Sequence, residues 1–351
     1  MSGVTDLPER VLPVLVFLAA ATVLAGVVGA AGVFDAAAAR AARLGGGRPW
    51  RLFTLVVLLA TATTVLLSLD TTVVLLTPVT IALAGAVGLS PWPFAFATVW
   101  LAGTASLLLP VSNLTNLLAA PAVSGSAAGF AGRTAPAWLV SVGLTVALLA
   151  WLSRAELRGR YAVPDPAPPT DPVLFGAALA AVAVFAVLVV AGVPAEVCAL
   201  VAALPLAGLA VVRRADVRPL ALVPWSLLAG VTALFVAVTL LAPYGLDTVL
   251  RDGVGDGGAL RTAATGAVAG SAVNNLPAYL ALERVVPRHD LPALLLGVDA
   301  GTLLTPWGSL ATLLWAAALR RAGLVVPWRR FVLRSAVLVP LVLLCAAPLT
   351  R

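Results

Sequence analysis

Apolar residues run almost unbroken through ten stretches of the chain, at about 11–34, 52–89, 94–118, 135–152, 173–192, 197–212, 223–241, 259–282, 291–318 and 331–347. Roughly 20 apolar residues match the span of a bilayer, and the polar intervals between the stretches are short enough to be loops. Two of the ten do not read as single spans. The run from Leu52 is too long and carries Asp70 at its middle, and the run from Ala259 is interrupted by Asn274, Asn275 and Pro277. Both read as re-entrant hairpins with a polar tip, which leaves eight crossings. Two further runs are broken inside, near 110–116 and 299–309, where Pro and Gly fall among polar residues. The pattern predicts an all-α integral membrane protein with two hairpins and two broken helices, arranged as the inverted repeat of a transporter.

The longest polar interval, 153–172, holds Pro164, Pro166, Pro168, Pro169 and Pro172 and reads as an extended linker between two halves. The first repeat is then 1–152: one helix, a hairpin with its tip near 70, a broken helix and one more helix. The second repeat is 173–351, with its hairpin tip near 271–277. Three crossings fall in the first half and five in the second, both odd numbers, as inversion requires.

Composition removes whole classes of function. With 61% hydrophobic and 11% charged residues, the chain is far from the usage of soluble domains. All 22 basic residues are Arg, with no Lys and no Gln, and the net charge is +7. In a membrane chain such a charge reports loops facing anionic lipid, and without a basic-aromatic patch it gives no nucleic-acid partner. Placing each loop by the hairpin scheme puts fifteen Arg on one side and seven on the other. The richer side, which holds the linker, is predicted to be cytoplasmic, with both termini outside the cytoplasmic membrane. The first run follows Asp6, Glu9 and Arg10 and is too long for a signal peptide, so it reads as a mature helix. Cys198 and Cys345 lie in separate runs and form no disulfide framework. The single histidine, His289, sits in a loop, so neither a histidine metal site nor a Ser-His triad can be built in the membrane. Without Lys there is no P-loop, and any ATPase would be a separate subunit. No cofactor is called for.

The polar chemistry is concentrated. The chain has four asparagines, and all lie in two segments inside apolar runs: Asn113 and Asn116 after Pro110, and Asn274 and Asn275 before Pro277. Amides in hydrocarbon need partners or a wet cavity. They could glue helices together, but breaks beside prolines favour a ligand site. Asp70 and Asp299 are intramembrane carboxylates with no adjacent base, hence candidates for proton coupling, although Asp299 could also cap a half-helix. Ser309 and Thr312 add hydroxyls after Pro306 and Gly308. The candidate substrate site is Ser112, Asn113, Asn116, Asn274, Asn275, Ser309 and Thr312. Asn113-Leu-Thr115 matches a glycosylation sequon, but at membrane depth it would be unreachable. Gly266 and Gly270 are expected to let the arms of the second hairpin approach closely.

The strings Leu67-Ser-Leu-Asp-Thr-Thr72, Thr104-Ala-Ser106 through Pro110-Val-Ser-Asn-Leu-Thr-Asn116, Asn274-Asn-Leu-Pro277, and Gly297-Val-Asp-Ala-Gly301 through Thr305-Pro-Trp-Gly-Ser-Leu-Ala-Thr312 resemble the arsenite efflux permeases (ArsB type) of the ion transporter superfamily. The likeness covers nearly the whole chain. It implies a proton-coupled exporter of arsenite and antimonite that moves hairpins and broken helices against a scaffold. This chain departs from the family pattern at Leu69, where Asn is usual, and at Ala300 and Thr302, where Leu and Pro are usual. It also has no counterpart in its first half of the two helices at 173–212, which leads to the expectation of a homodimer or of a longer reading frame.

Amides and hydroxyls both donate and accept, which suits a neutral trihydroxy metalloid. The competing reading is a sodium- or proton-coupled anion or dicarboxylate carrier, or a sodium/proton antiporter, of the same superfamily, with half-helix N-termini holding an anion. A non-transporting scaffold is the third reading, and the clustered asparagines argue against it.

Overall fold

Backbone groups in hydrocarbon must be satisfied within their own segment, and the apolar runs accordingly fold as helices. The computed structural model describes residues 7–163, 171–241, 255 and 258–351. Among them are fifteen α-helices and no strand: α1 (Leu7–Ala30), α2 (Val33–Leu44), α3 (Pro49–Leu67), α4 (Leu69–Ala86), α5 (Trp92–Thr104), α6 (Leu114–Val123), α7 (Ala127–Ser153), α8 (Pro172–Val190), α9 (Ala195–Val212), α10 (Trp225–Leu241), α11 (Gly258–Val273), α12 (Asn275–Leu282), α13 (Leu291–Gly301), α14 (Leu310–Arg321) and α15 (Trp328–Ala346). Seven of these are long and apolar enough to cross a membrane, namely α1, α3, α4, α7, α8, α9 and the segment beginning with α15. The Pro-rich stretch of the linker, 164–170, lies outside the described residues.

The run at 11–34 is not one helix. Gly32 takes φ 79°, a left-handed turn that glycine adopts without steric cost, and a separate helix α2 follows. Its Ala and Arg residues are strong helix formers, and Phe34, Ala38, Ala41 and Ala42 give it a buried face. Position-by-position hydropathy hid it inside a polar interval.

The two hairpins enter from opposite ends of the bundle. Both feet of the first are tied to the segment after α7: the Tyr161 N–H donates to the Gly47 carbonyl at 3.0 Å, and the Ser90 hydroxyl bonds the Glu156 carboxylate. Both feet of the second lie against Arg351. An added Cβ on Gly258 would fall 2.7 Å from its guanidinium, and Asp290 Oδ1 is 3.5 Å from its Nε. Helix α7 connects the two ends. Its 27 residues extend about 40 Å, and the stretch of roughly 30 Å from Arg133, which shares a pocket with His289 and Arg351, to Ser153 beside the Glu156 turn joins the two sets of feet.

Helices α1, α8, α9 and α10 pack on one another as one group, with α1 against α9 and α10 and α8 against α9. The hairpins, the broken helices, α7 and α15 form the other. Within that second group, α11 and α13 are the closest pair, because small residues interleave. An added Cβ at Gly266 or Gly270 of α11 would lie 3.1–3.2 Å from the Leu294 and Val298 carbonyls, and one at Gly297 or Gly301 of α13 would lie 2.1 Å from the Ala263 carbonyl oxygen or 2.3 Å from Ala267 Cα. The expectation for Gly266 and Gly270 is thereby corrected: they admit α13, not the other hairpin arm, since α12 is only 8 residues long and α13 runs alongside.

On the linker side, Asp171 caps α8 by accepting from the Val173 and Leu174 N–H groups and pairs with Arg213 at the end of α9, at 2.8 Å. The Arg213 hydrogen bond, and then the helix N–H groups, hold its carboxyl below the ordinary range. A depressed carboxyl stabilises the fold above its unfolded value of about 3.9 and loses that contribution as pH falls through the folded value. Asp171→Asn should therefore lower the melting temperature at pH 7, and the gap to wild type should narrow progressively as pH falls below about 4.

Candidate functional site

Each hairpin turns at a residue forced into an unusual backbone conformation. Ser68 has φ 127°, ψ 164° and Asn274 has φ 87°, ψ 153°, values that non-glycine residues adopt only when the surroundings over-determine them. Asn274, Ser68 and Arg214 are the non-glycine residues with positive φ among the described residues, and the first two are the hairpin tips.

Each broken helix is built alike. In the first half α5 stops at Thr104, Pro110 opens a 3₁₀ turn, and Asn113 is extended (φ −151°) and caps α6, its side-chain oxygen accepting from the Thr115 N–H at 3.4 Å. In the second half α13 stops at Gly301, the chain passes Pro306 and Gly308, and Ser309 (φ −144°) caps α14 by accepting from the Thr312 N–H at 3.2 Å. Gly308 has no room for a side chain, since a Cβ would sit 2.4 Å from the Thr302 carbonyl.

Each hairpin is fastened to its own break. The Ser112 hydroxyl donates to the Val65 carbonyl at 2.8 Å in the first half. In the second, Ser271 donates to the Gly301 carbonyl at 2.7 Å, Thr305 to the Ser271 carbonyl at 2.8 Å, and the Asn275 N–H to the Gly308 carbonyl at 3.1 Å. The first break is also braced from α7, where the Trp138 indole donates to the Ala105 carbonyl at 2.9 Å and Thr145 to the Thr104 hydroxyl at 2.9 Å.

The halves meet at Asp299. It stands in the last turn of α13, 3% exposed, and receives the Asn113 amide at 2.7 Å, the Thr115 hydroxyl at 3.1 Å and the Ser106 hydroxyl at 3.5 Å. A carboxylate at the C-terminal end of a helix opposes the local dipole, and Asp299 caps nothing. Its donors come from the other half, so the capping alternative is set aside. Asp299, Asn113, Asn275, Ser309 and Thr312 line one small cavity with Leu69, Gly103, Ser106 and Thr302. The cavity is about 10 Å³, room for about one water. The Thr312 hydroxyl is buried without a hydrogen-bond partner among the described residues.

Four other sequence-selected residues do not line this cavity. Ser112 binds the hairpin arm, Asn116 donates to the Ser106 and Leu109 carbonyls at 2.6 and 3.1 Å, and Asn274 reaches the Trp307 carbonyl at 3.3 Å. These three hold the breaks and tips in shape. Asp70, in the first turn of α4, packs towards α14, and its Oδ1 is buried with no hydrogen-bond partner among the described residues. Thr115 and Ser106, which both bond Asp299, were missed from sequence. The signal for Thr115 was the Asn-Leu-Thr spacing, which fits a sequon but here puts amide and hydroxyl on one carboxylate.

A larger open cavity, about 750 Å³, reaches the first break at Pro110 and Val111 from the side where α1 and α7 begin, between α6 and the turn joining α8 to α9. It is mostly apolar and carries Glu196 and Glu283.

The CitMHS (citrate transporter) family model matches residues 2–290. The chain belongs to this family. It is also similar to arsenical pump membrane proteins: that of Yersinia enterocolitica is 29% identical over 328 residues, and that of Escherichia coli strain K12 29% over 330. Each alignment covers 85% of this chain and 76% of the relative. The Shigella flexneri protein of the same name matches equally well. Family membership, the seven apolar helices and these relatives agree on a multi-pass membrane transporter. Of the cavity's polar residues, Ser106, Asn113 and Asn275 fall inside the matched segment, whereas Asp299, Thr302, Ser309 and Thr312 lie beyond it.

Proposed function

We propose that the chain exports arsenite and antimonite across the cytoplasmic membrane in exchange for protons, its two halves working as inverted repeats around one central site. The observation that carries the reading is Asp299 of the second half held by Asn113 and Thr115 of the first, in a cavity completed by Asn275, Ser309 and Thr312. Amides and hydroxyls there both donate and accept, as the hydroxyls of a neutral trihydroxy metalloid require.

The same geometry argues against an anionic substrate such as citrate. No Arg lines the cavity among the described residues, and Asn113 and Thr115 already present a carboxylate to the N-terminal end of α6. The N-terminal end of that half-helix is thus already occupied by the protein's own carboxyl group. A sodium-coupled member of the superfamily is the second reading, favoured by the same carboxylate and hydroxyl oxygens, which suit a hard cation.

At about 10 Å³ the site is closed, so substrate enters only when tips and breaks separate. The 750 Å³ cavity beside Pro110 supplies the route. With the Arg-rich linker side cytoplasmic, that cavity faces outward and both termini are external. Asp70 takes the coupling role, because its buried Oδ1 has no hydrogen bond to give up when a proton arrives or leaves.

Everted membrane vesicles test the function: arsenite should accumulate when the lumen is made acid and should ignore a sodium gradient. Asp70→Asn should cut pH-driven accumulation by about tenfold or more while leaving membrane yield and gradient-free arsenite exchange intact. Accumulation driven by sodium alone would favour the second reading, and normal pH-driven accumulation by the variant would remove Asp70 from the coupling step.

A further inference from the structure

A second open pocket, about 460 Å³, lies where α7 begins, where the 3₁₀ turn before α13 ends and where the chain leaves the Ala347–Thr350 turn after α15. Arg133, His289 and Arg351 line it, and no Asp or Glu side chain does. The acid beside it, Asp290, is buried at 4% exposure and is faced by Arg351 Nε at 3.5 Å and His289 Nε2 at 3.6 Å. One buried side-chain carboxylate therefore stands against two guanidiniums, and Arg133 has no side-chain ion pair among the described residues. Arg351 is held in place as well as charged, since its guanidinium packs on the Gly258 backbone where a Cβ would be 2.7 Å away. Pro136, Pro292 and Leu349 give the pocket an apolar wall. It opens near the ends of α7 and α15, two of the helices long and apolar enough to cross a membrane, and the ends of such helices face the headgroup layer.

We propose that this pocket binds a phosphate group, carried either by an anionic phospholipid headgroup or by free inorganic phosphate. Planar guanidiniums meet phosphate oxygens through paired N–H donors, and basic pockets between membrane helices are suited to headgroup phosphates. The site is remote from the cavity at Asp299 and does not rest on the transport reading. In the lipid case the headgroup would clamp the start of α7 to the foot of the second hairpin.

The full chain, delipidated in a non-ionic detergent, is titrated with phosphatidylglycerol and followed by native mass spectrometry. A parallel arm measures equilibrium binding of radiolabelled inorganic phosphate. Saturable binding in at least one arm is expected, and Arg133→Ala/Arg351→Ala should weaken it by about tenfold or more. Binding of phosphatidylglycerol assigns the pocket to lipid, and binding of inorganic phosphate alone assigns it to a soluble anion. Both arginines are largely exposed, so the fold should survive. Arg133→Gln and Arg351→Gln, tested singly, give the same reading with a loss of about threefold each. No binding in either arm, or binding that none of these variants weakens, would overturn the proposal.

Discussion

Asp299→Asn is expected to cut arsenite transport by about a hundredfold while the protein still folds and inserts. The substitution keeps the volume of the side chain but turns one acceptor oxygen into an NH₂ group. Asn113 and Thr115 both donate to Asp299 Oδ1, and Ser106 donates to Oδ2, so at least one donor is left facing another donor in a site with room for about one water. A buried donor left without its acceptor costs about 1–3 kcal/mol, so losing one or two such bonds corresponds to a loss of about a hundredfold in transport. The measurement is initial arsenite uptake into everted vesicles at matched protein level. Uptake within a factor of about two of wild type would show that Asp299 is a packing residue.

Gly297→Ala should fail earlier, at the level of the fold. A methyl group there would lie 2.1 Å from the Ala263 carbonyl oxygen and 2.8 Å from its carbon, both backbone atoms that cannot rotate away. Helix α13 would have to move off α11, carrying Asp299 with it. Overpacking of a well-packed interior typically costs about 1–3 kcal/mol, and a clash with backbone belongs at the upper end. The expected result is a clear drop in the detergent-solubilised melting temperature and a lower membrane yield. A glycine with space above it, Gly143, gives the control, since an added Cβ there meets nothing within 4 Å and Gly143→Ala should leave both unchanged.

Much of this architecture was legible in the chain. Ten apolar runs, two of them with a polar centre, were enough to place hairpin tips within a few residues of Ser68 and Asn274. The rarity of asparagine singled out Asn113 and Asn275, because an amide at membrane depth must have a partner. What periodicity does not carry is which face of a half-helix looks inward. Asp70 and Asp299 read alike in sequence, yet Asp299 enters the cavity and Asp70 does not. Asn116 and Ser112 read as ligands, yet they bond backbone carbonyls within the first half. Ser106 and Thr115 looked ordinary because hydroxyls are common in membrane helices, and only the approach of α13 gives them a carboxylate to bind. Helix α2 escaped because its alanines score as weakly apolar while Arg40 and Arg43 read as loop.

The central claim is that both halves contribute to one site, and a double-mutant cycle on Asn113 and Asn275 tests it most directly. Asn113 belongs to the first break and Asn275 to the second tip, and they line the same cavity although far apart in sequence. Arsenite affinity is measured for wild type, Asn113→Ala, Asn275→Ala and the double variant in the same vesicles. Each single change should weaken binding by about 1–3 kcal/mol. The double variant should lose less than the sum by at least about 0.5 kcal/mol, the coupling of residues that share a site. Strict additivity, with each loss unchanged by the other substitution, would contradict a shared site and return both asparagines to helix packing.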